Sequence, residues 1–131
     1  MVYVYIIYNR TRTGTSNQGF SSMATTRIIA FFNLKPGVKM SDYEAWARAT
    51  DLPTVNGLAS IRKFEVFKAK ELLGSTDKPP YKYVEIIDVR DMGQFGTDVA
   101  TPVMQAVAKE FNGMADVTFM VMKKIGWKRA K

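Results

Sequence analysis

The segments of this sequence that resemble β-strands carry apolar residues on both faces. This holds for RIIAFFNL at residues 27–34, for YKYVEIIDV at 81–89 and for DVTFMVMKKI at 116–125. A sheet with helices on one side and water on the other would instead alternate apolar and polar residues along each strand. Both faces of this sheet therefore need a cover, because a bare face would be a large exposed apolar patch.

The predicted elements follow one another in the order β-α-β-β-α-β. Strands are expected at 27–34, 60–69, 81–89 and 116–125, and helices at 41–52 and, with a broken start, at 91–112. This order is that of the ferredoxin-like fold, an α+β architecture in which a four-stranded antiparallel sheet carries two helices on one face. The economical cover for the other face is a second copy of the chain, sheet against sheet, in a C2 homodimer.

Local signals set the expected ends of the helices. Ser41 is a good N-cap, and Glu44 three residues later would complete a capping box. Glu44 and Arg48 are spaced to form an ion pair on the outer face of the helix, and Pro53 is expected to end it. In the second helical segment, Thr101 is predicted to cap the main helix, which would begin at the proline that follows.

The distribution of charge separates a central domain from two ends. The chain has 131 residues and a formal net charge of +7, and most of the positive excess lies near the two ends. We expect residues 1–22 to be a poorly ordered extension, 23–126 to be one dimeric domain and 127–131 to be a basic tail. Basic ends on a nearly balanced domain are typical of solubilising tails, so no nucleic-acid partner is expected.

Cysteine and histidine are both missing from the chain. Without cysteine there is no disulfide, no zinc–thiolate site and no cysteine nucleophile, which fits a cytoplasmic protein. Without histidine there is no Ser-His-Asp triad and no histidine ligand for zinc or haem. No nucleotide fingerprint or metal-ligand spacing is present, so we expect no metal and no cofactor. The apolar run at residues 1–8 is too short to cross a membrane, and no membrane partner is expected.

One long run of the sequence has a distinctive order of features. In IIAFFNLKPGVKMSDYEAWARATDLPTVNGLASIRKFEVFKA a strand and a helix lead to Pro53, to a turn with Gly57 and to a strand that begins near Ser60. With YKYVEIIDV and VTFMVMKKI further on, residues 24–125 resemble the dimeric α/β-barrel superfamily and, within it, the RedY-like HapK family of bacteria. The resemblance implies a link to the biosynthesis of prodiginine-type pigments, with a pathway intermediate as the ligand. Many enzymes of the superfamily depend on a histidine, so their mechanisms do not carry over to this chain.

Tyr43 and Trp46 lie three residues apart on one face of the first helix. In such a fold a cavity can form between the helices and the sheet. Two aromatic rings could hold a flat ligand there while offering a phenol and an indole N–H. The alternative is plain core packing, with both polar tips at the rim.

Further candidates lie on the strands and near the second helix. Asn33 could orient a carbonyl or a pyrrole N–H, or could cap the turn that follows it. Arg62 is predicted to share a face with Phe64, where it could bind an anionic ligand, pair with Glu85, or form a cross-strand or dimer-interface ion pair. Phe95, which has a glycine close on either side, could belong to a lid or to an irregular helix start.

Tyr83 and Glu85 share a face of the third strand. In an apolar cavity this pair could carry out acid–base chemistry if burial raised the pKa of the carboxyl group. The alternative is a solvated strand face. The candidate catalytic residues are therefore Tyr43, Tyr83 and Glu85, and the candidate ligand-binding residues are Asn33, Tyr43, Trp46, Arg62, Phe64, Tyr83 and Phe95.

The resemblance implies an accessory protein of bacterial secondary metabolism that binds a small aromatic or pyrrolic molecule, and the strand pattern predicts that it is a homodimer. It could assist a condensation or cyclisation without a cofactor, mainly by holding its ligand in place and excluding water. It could also bind the molecule without turning it over. A third hypothesis is a non-catalytic structural or partner-binding dimer of the same fold.

Overall fold

The computed structural model describes residues 25–127, so the predicted extension at 1–22 and nearly all of the predicted tail at 127–131 lie outside the described residues. The elements are β1 (Thr26–Leu34), α1 (Met40–Trp46), a π-helical segment (Ala47–Asp51), α2 (Leu52–Asn56), β2 (Ile61–Lys68), β3 (Tyr83–Val89), α3 (Met92–Val99), α4 (Pro102–Met114) and β4 (Ala115–Met122). The strands form one sheet in the order β2-β3-β1-β4, with antiparallel pairing throughout. The predicted ferredoxin-like fold is confirmed. Of the helices between residues 25 and 127, none has the length and apolar character needed to cross a bilayer.

The helices cover one face of the sheet. Ile28, Ala30 and Phe32 of β1 point toward the helices and are fully buried. Ile28 belongs to the same apolar cluster as Val107 of α4, and Phe32 to the same cluster as Phe111 of that helix. The core of the domain therefore lies between this face and the helices.

The opposite face of the sheet, here called the helix-free face, is also largely apolar, as predicted. Ile29 and Phe31 of β1 lie on it beside Ile86 and Val84 of β3. Met120 of β4 pairs with Ile29 on the other side and is 39% exposed. No helix within residues 25–127 packs over these residues, so the described part of the chain leaves this face without a helical cover.

Asp88 balances positive charge on the helix-free face. Its carboxylate lies 2.7 Å from the Nε of Arg27 and 3.4 Å from a guanidinium nitrogen of Arg62. The hydrogen bond from Arg27 is the main reason why the pKa of Asp88 is lowered. The cross-strand ion pair that was one of the alternatives for Arg62 is therefore present, with Asp88 as its partner and not Glu85.

A β-bulge explains the position of Arg62. Ile61 and Lys63 pair with adjacent residues of β3, so Arg62 between them is the extra residue. The bulge shifts the alternation of β2 by one residue, which keeps Phe64 buried under the helices at 4% exposure. The prediction that Arg62 shares a face with Phe64 is therefore wrong.

The first helix begins earlier than predicted and lacks the predicted capping box. Met40 is its first residue, and Lys39 at the N-cap position makes no side-chain cap hydrogen bond. Ser41 is thus already inside the helix. Glu44 lies 3.6 Å from Arg48, which matches the predicted ion pair, but the Glu44 side chain is only 19% exposed and is not on the outer face.

The helix does not end at Pro53, because a π-helical turn carries it on to Asn56. The N–H of Leu52 donates to the carbonyl oxygen of Ala47, five residues back, which makes a turn wider than that of an α-helix. Pro53 then lies in the first turn of α2, where its missing N–H is tolerated. The Asn56 side chain binds both the N–H and the carbonyl oxygen of Phe64, at 2.9 and 3.0 Å, and joins α2 to β2.

The interruption predicted in the second helical segment is also present. One helix ends at Val99 and the next begins at Pro102. Thr101 caps the second of them, as predicted, because its hydroxyl oxygen accepts a hydrogen bond from the N–H of Met104 at 3.3 Å. Both helices bury apolar side chains in the same core, so they cover the same face of the sheet.

Thr101 and Ser41 provide a test of the helix caps. Thr101→Ala should lower the free energy of unfolding by about 1 kcal/mol, because it removes the acceptor for an N–H in the first turn of α4. Ser41→Ala should change it by less than about 0.5 kcal/mol, as for a surface residue without a specific role. Urea denaturation of both variants measures the difference. Equal losses would show that the capping box at Ser41 does form.

Candidate functional site

A cavity lies between the helices and the sheet. Its volume is about 60 Å³, and it is partly open to solvent. This volume has room for roughly four to six water-sized groups, which is close to the size of one five- or six-membered ring. Of its thirteen lining residues, eleven are apolar and two carry carboxyl groups.

The two carboxyl groups belong to Asp51 and Glu85, and both are buried. Asp51 is 5% exposed and Glu85 is 3% exposed. The ion pairs found between residues 25 and 127 include neither of them, and the cavity wall carries no basic side chain. Burying a carboxylate without a cation costs several kcal/mol. Such a pair in a cavity is a candidate functional site.

The π-helical segment directs Asp51 to the cavity. Tyr43, Ala47 and Asp51 lie four residues apart, and all three are buried. In a regular α-helix Asp51 would lie about 80° away from Tyr43 around the axis, and the wider turn brings it closer to the same face. Asp51 was not among the site residues predicted from the sequence. Its spacing of four residues from Ala47 and eight from Tyr43 is the signal that could have indicated it.

Strand β3 places Glu85 on the helix side of the sheet. Tyr83 and Ile87, two residues away on either side, are also buried. Across the sheet, Glu85 pairs with Ala30 and Val66, and the small side chain of Ala30 leaves room above the strand. The alternative of a solvated face for Tyr83 and Glu85 is therefore wrong.

Burial changes the protonation of both carboxyl groups. It raises the pKa of Asp51 to about 7, and burial together with the charge of Asp51 raises the pKa of Glu85 well above its usual range. Two neighbouring carboxyl groups resist ionising together, so the pair holds at least one proton near neutral pH. A chain without histidine thus contains a group that titrates near pH 7, where a general acid or base is most effective.

Tyr43 lies close to the carboxyl pair. Its side chain is fully buried, and its hydroxyl has no hydrogen-bond partner within residues 25–127. Burial and then the charges of Glu85 and Asp51 raise the pKa of this phenol, so it stays a neutral group. Buried polar atoms are rarely left without a partner, and this one lies near both polar groups of the cavity wall.

Trp46 packs away from the cavity. Its ring stacks on Phe111, with 6.1 Å between centroids and 4° between planes, and its indole N–H donates to Glu110 at 2.7 Å. The ring of Tyr43 lies 6.1 Å away and is tilted by 40°. A flat ligand between two rings would need about 7 Å between parallel planes. The two rings therefore leave no space for a ligand between them, and their geometry is that of core packing.

The hydroxyl of Tyr83 is used within the fold. It donates to the Glu44 carboxylate at 2.7 Å, and the Nζ of Lys68 binds the same carboxylate oxygen at 2.7 Å. The hydrogen bond from Lys68 and then the one from Tyr83 lower the pKa of Glu44. This network joins α1 to β2 and β3, and it explains why Glu44 turns inward.

The other predicted site residues divide between the cavity and the surface. Phe64 and Phe95 line the cavity. Asn33 instead holds the loop before β3, because its amide donates to the carbonyl oxygen of Pro80 at 2.9 Å and accepts from the N–H of Lys82 at 2.8 Å. Of the predicted residues, the cavity wall contains Phe64, Glu85 and Phe95, and it does not contain Asn33, Tyr43, Trp46, Arg62 or Tyr83.

The arrangement can hold a polar ligand atom and can move a proton. A carboxyl pair that shares a proton can accept a hydrogen bond through one oxygen and donate one through another. The apolar walls strengthen such hydrogen bonds by keeping water away. No group of three or more potential metal ligands occurs in the part of the chain that the structure describes.

The raised pKa of Asp51 predicts how stability depends on pH. A carboxyl group whose pKa is higher in the folded state binds protons more tightly there, so its contribution to stability falls as pH rises from about 4 to about 7. Asp51→Asn removes this loss. The variant should match the natural chain near pH 4 and exceed it at pH 8 by up to about 4 kcal/mol. Urea denaturation across this pH range measures the difference.

Asp116→Asn is the matched control, because the Asp116 side chain is 83% exposed. Its stability should run parallel to that of the natural chain at every pH. If Asp51→Asn also ran parallel to the natural chain, the raised pKa of Asp51 would be contradicted.

Comparison with known proteins agrees with the fold. The sequence profile of the family described as REDY-like protein HapK matches residues 26–125. Among solved structures, HapK from Hahella chejuensis is 27% identical, with a TM-score of 0.63 over 81% of this chain and 98% of that one. No curated protein sequence matches the chain.

Two further solved structures share the fold at lower identity. SnoaB, a cofactor-independent oxygenase from Streptomyces nogalater, is 10% identical, with a TM-score of 0.63 over 79% of this chain and 96% of that one. A DABB family protein with a ferredoxin-like fold from Mesorhizobium loti is 14% identical, with a TM-score of 0.57 over 78% and 98%. Because the family profile spans most of the sequence, this chain belongs to the REDY-like HapK family.

Proposed function

We propose that this chain is a small-molecule-binding protein whose ligand occupies the cavity between the helices and the sheet. The observation that carries the proposal is the cavity wall, which is apolar except for two buried carboxyl groups without a counterion. Ligand sites are typically apolar pockets with a few convergent polar groups. Membership of the HapK family and the 27% sequence identity to HapK from Hahella chejuensis support the proposal.

The proposed ligand is an aromatic or pyrrolic intermediate of bacterial secondary metabolism, bound in the cytoplasm. Its class follows from the resemblance to proteins of prodiginine-type pigment biosynthesis. The cavity has the size of one ring and is partly open to solvent, so the rest of a larger molecule would extend out of it. In this proposal the protein is an accessory factor that holds one ring in a dry site during a condensation or cyclisation.

The carboxyl pair supports a direct part in that chemistry. Condensation and cyclisation of ring compounds require protons to be added and removed, and Asp51 titrates near neutral pH. Glu85 and Asp51 together can supply both steps without histidine and without a cofactor. The non-catalytic alternative is a carrier, for which Asp51→Asn would change the affinity for the ligand without changing any rate of product formation.

We also propose that the protein acts as a homodimer joined through the helix-free face. The centre of this face is apolar, with Ile29, Phe31 and Ile86 close together. Its nearby charges are paired within one chain at Asp88. An apolar surface whose charges are already paired fits a second copy of itself better than a charged partner.

Binding of small uncharged rings tests the cavity. Furan and thiophene should bind with dissociation constants no tighter than the micromolar range, because ligands of five heavy atoms reach at most about −1.5 kcal/mol per atom. The measurement is NMR, in which the methyl signals of Ile87, Val99 and Met104 should shift on titration. Ala108→Leu, which fills the cavity wall, should abolish the shifts.

Ala106→Leu is the matched control, because Ala106 lies on the same helix but is exposed. It should bind the rings like the natural chain. Unchanged methyl signals in the natural chain, or full binding by Ala108→Leu, would contradict the proposed site.

Sedimentation tests the dimer. The natural chain should sediment as a dimer at micromolar concentration, and Ile86→Lys should sediment as a monomer because it places a charge at the centre of the apolar face. Val103→Lys is the control, since Val103 is 62% exposed on α4, away from the sheet. A natural chain that sediments as a monomer, or a dimer that survives Ile86→Lys, would refute the helix-free face as the interface.

A further inference from the structure

We infer, on the basis of the proposed binding function, that the cavity selects uncharged or cationic ligands that donate a hydrogen bond through nitrogen and that it rejects anions. The class includes ring N–H groups such as those of azoles, as well as small amines. The inference rests on the composition of the cavity wall, on the unused hydrogen-bonding capacity beside it and on the placement of the nearest cations.

The cavity wall offers carboxyl oxygens and no cation. Asp51 and Glu85 are its only polar lining residues, and the remaining eleven are apolar. A carboxyl pair that holds one proton carries one negative charge and has more acceptor positions than donors, so an N–H group is its natural partner. A carboxylate or phosphate ligand would meet like charge in an apolar space, which is strongly unfavourable.

The polar groups at this end of the cavity are not used up within the fold. Neither carboxyl group takes part in the ion pairs formed by residues 25–127. The hydroxyl of Tyr43, close to both, is fully buried and has no hydrogen-bond partner in the same part of the chain. A ligand with an N–H group can therefore satisfy an acceptor that the protein leaves open.

The cations of β1 and β2 are bound by carboxylates outside the cavity wall, and Lys68, which lies on the helix side of the sheet, is held by Glu44. Arg27 and Arg62 both bind Asp88 on the helix-free face, so the sheet separates them from Glu85. The chain as a whole carries a net charge of +7, which would attract anions to its outside. Rejection of anions at the cavity would therefore oppose the attraction exerted by the surface, and this makes the prediction specific to the cavity.

Two pairs of ligands of equal size test the inference: pyrrole with furan, and furan-2-carboxylate with the uncharged furan-2-carboxamide, which should bind at least as well as furan. Pyrrole and furan differ in having an N–H or an oxygen at the same ring position, and furan-2-carboxylate adds a negative charge. In NMR titrations that follow the methyl groups of Ile87, Val99 and Met104, pyrrole should bind at least tenfold more tightly than furan. Furan-2-carboxylate should cause no shift at these methyl groups.

Glu85→Met should remove the preference, so that pyrrole and furan bind equally. Glu71→Met, the same change in an exposed loop, should keep it. Should Glu85→Met fail to fold, Asp51→Leu tests the same preference from the helix side and should reduce it at least threefold. Equal binding of pyrrole and furan to the natural chain, or binding of furan-2-carboxylate in the cavity, would overturn the inference and leave the proposed function standing. If neither pyrrole nor furan binds, the proposed function itself fails.

Discussion

The packing of aromatic rings around Phe32 holds the helices against the sheet. Phe32 lies on a central strand and is fully buried, with ring centroids 5.5 Å from Tyr43 of α1, 5.3 Å from Tyr83 of β3 and 5.0 Å from Phe111 of α4. Each such pair adds about 0.5–1.5 kcal/mol beyond the burial of apolar area. Phe111 of this cluster also lines the cavity, so the cluster forms one boundary of that space. The position of Glu85, one pleat along from Tyr83, follows from the same arrangement.

Local sequence signals predicted the features that depend on neighbouring residues only. The order of strands and helices, both apolar faces and the Thr101 cap were predicted, because period and capping chemistry act over a few residues. Two predictions failed where distant contacts decide the outcome. Glu44 left its expected place in a capping box because Tyr83 and Lys68 bind it across the fold. Arg62 changed face because a β-bulge adds a residue to β2, and strand alternation cannot reveal a bulge.

Part of the candidate site was also predictable, because the periodicity of a strand acts over a few neighbouring residues. Glu85 could be found because a strand repeats every two residues and places it between apolar neighbours. Asp51 was missed because aspartate in a helix normally faces water, and only a π-helical turn brings it fully inward. Tyr43 and Trp46 were grouped by their spacing, yet their polar atoms diverge. The phenol of Tyr43 is buried near the carboxyl pair, whereas the indole N–H of Trp46 is bound by Glu110.

The bulge at Arg62 also gives the sheet an electrical polarity. It places a second guanidinium beside Arg27 on one side of β3, while the two uncompensated carboxyl groups lie on the other side. The two guanidinium groups thus lie on the side of the sheet that faces away from the cavity. With regular alternation in β2, the guanidinium would share the face of Phe64 and convert a site built from acceptors into one that attracts anions. A single inserted residue therefore keeps a guanidinium group off the side of the sheet that carries the cavity.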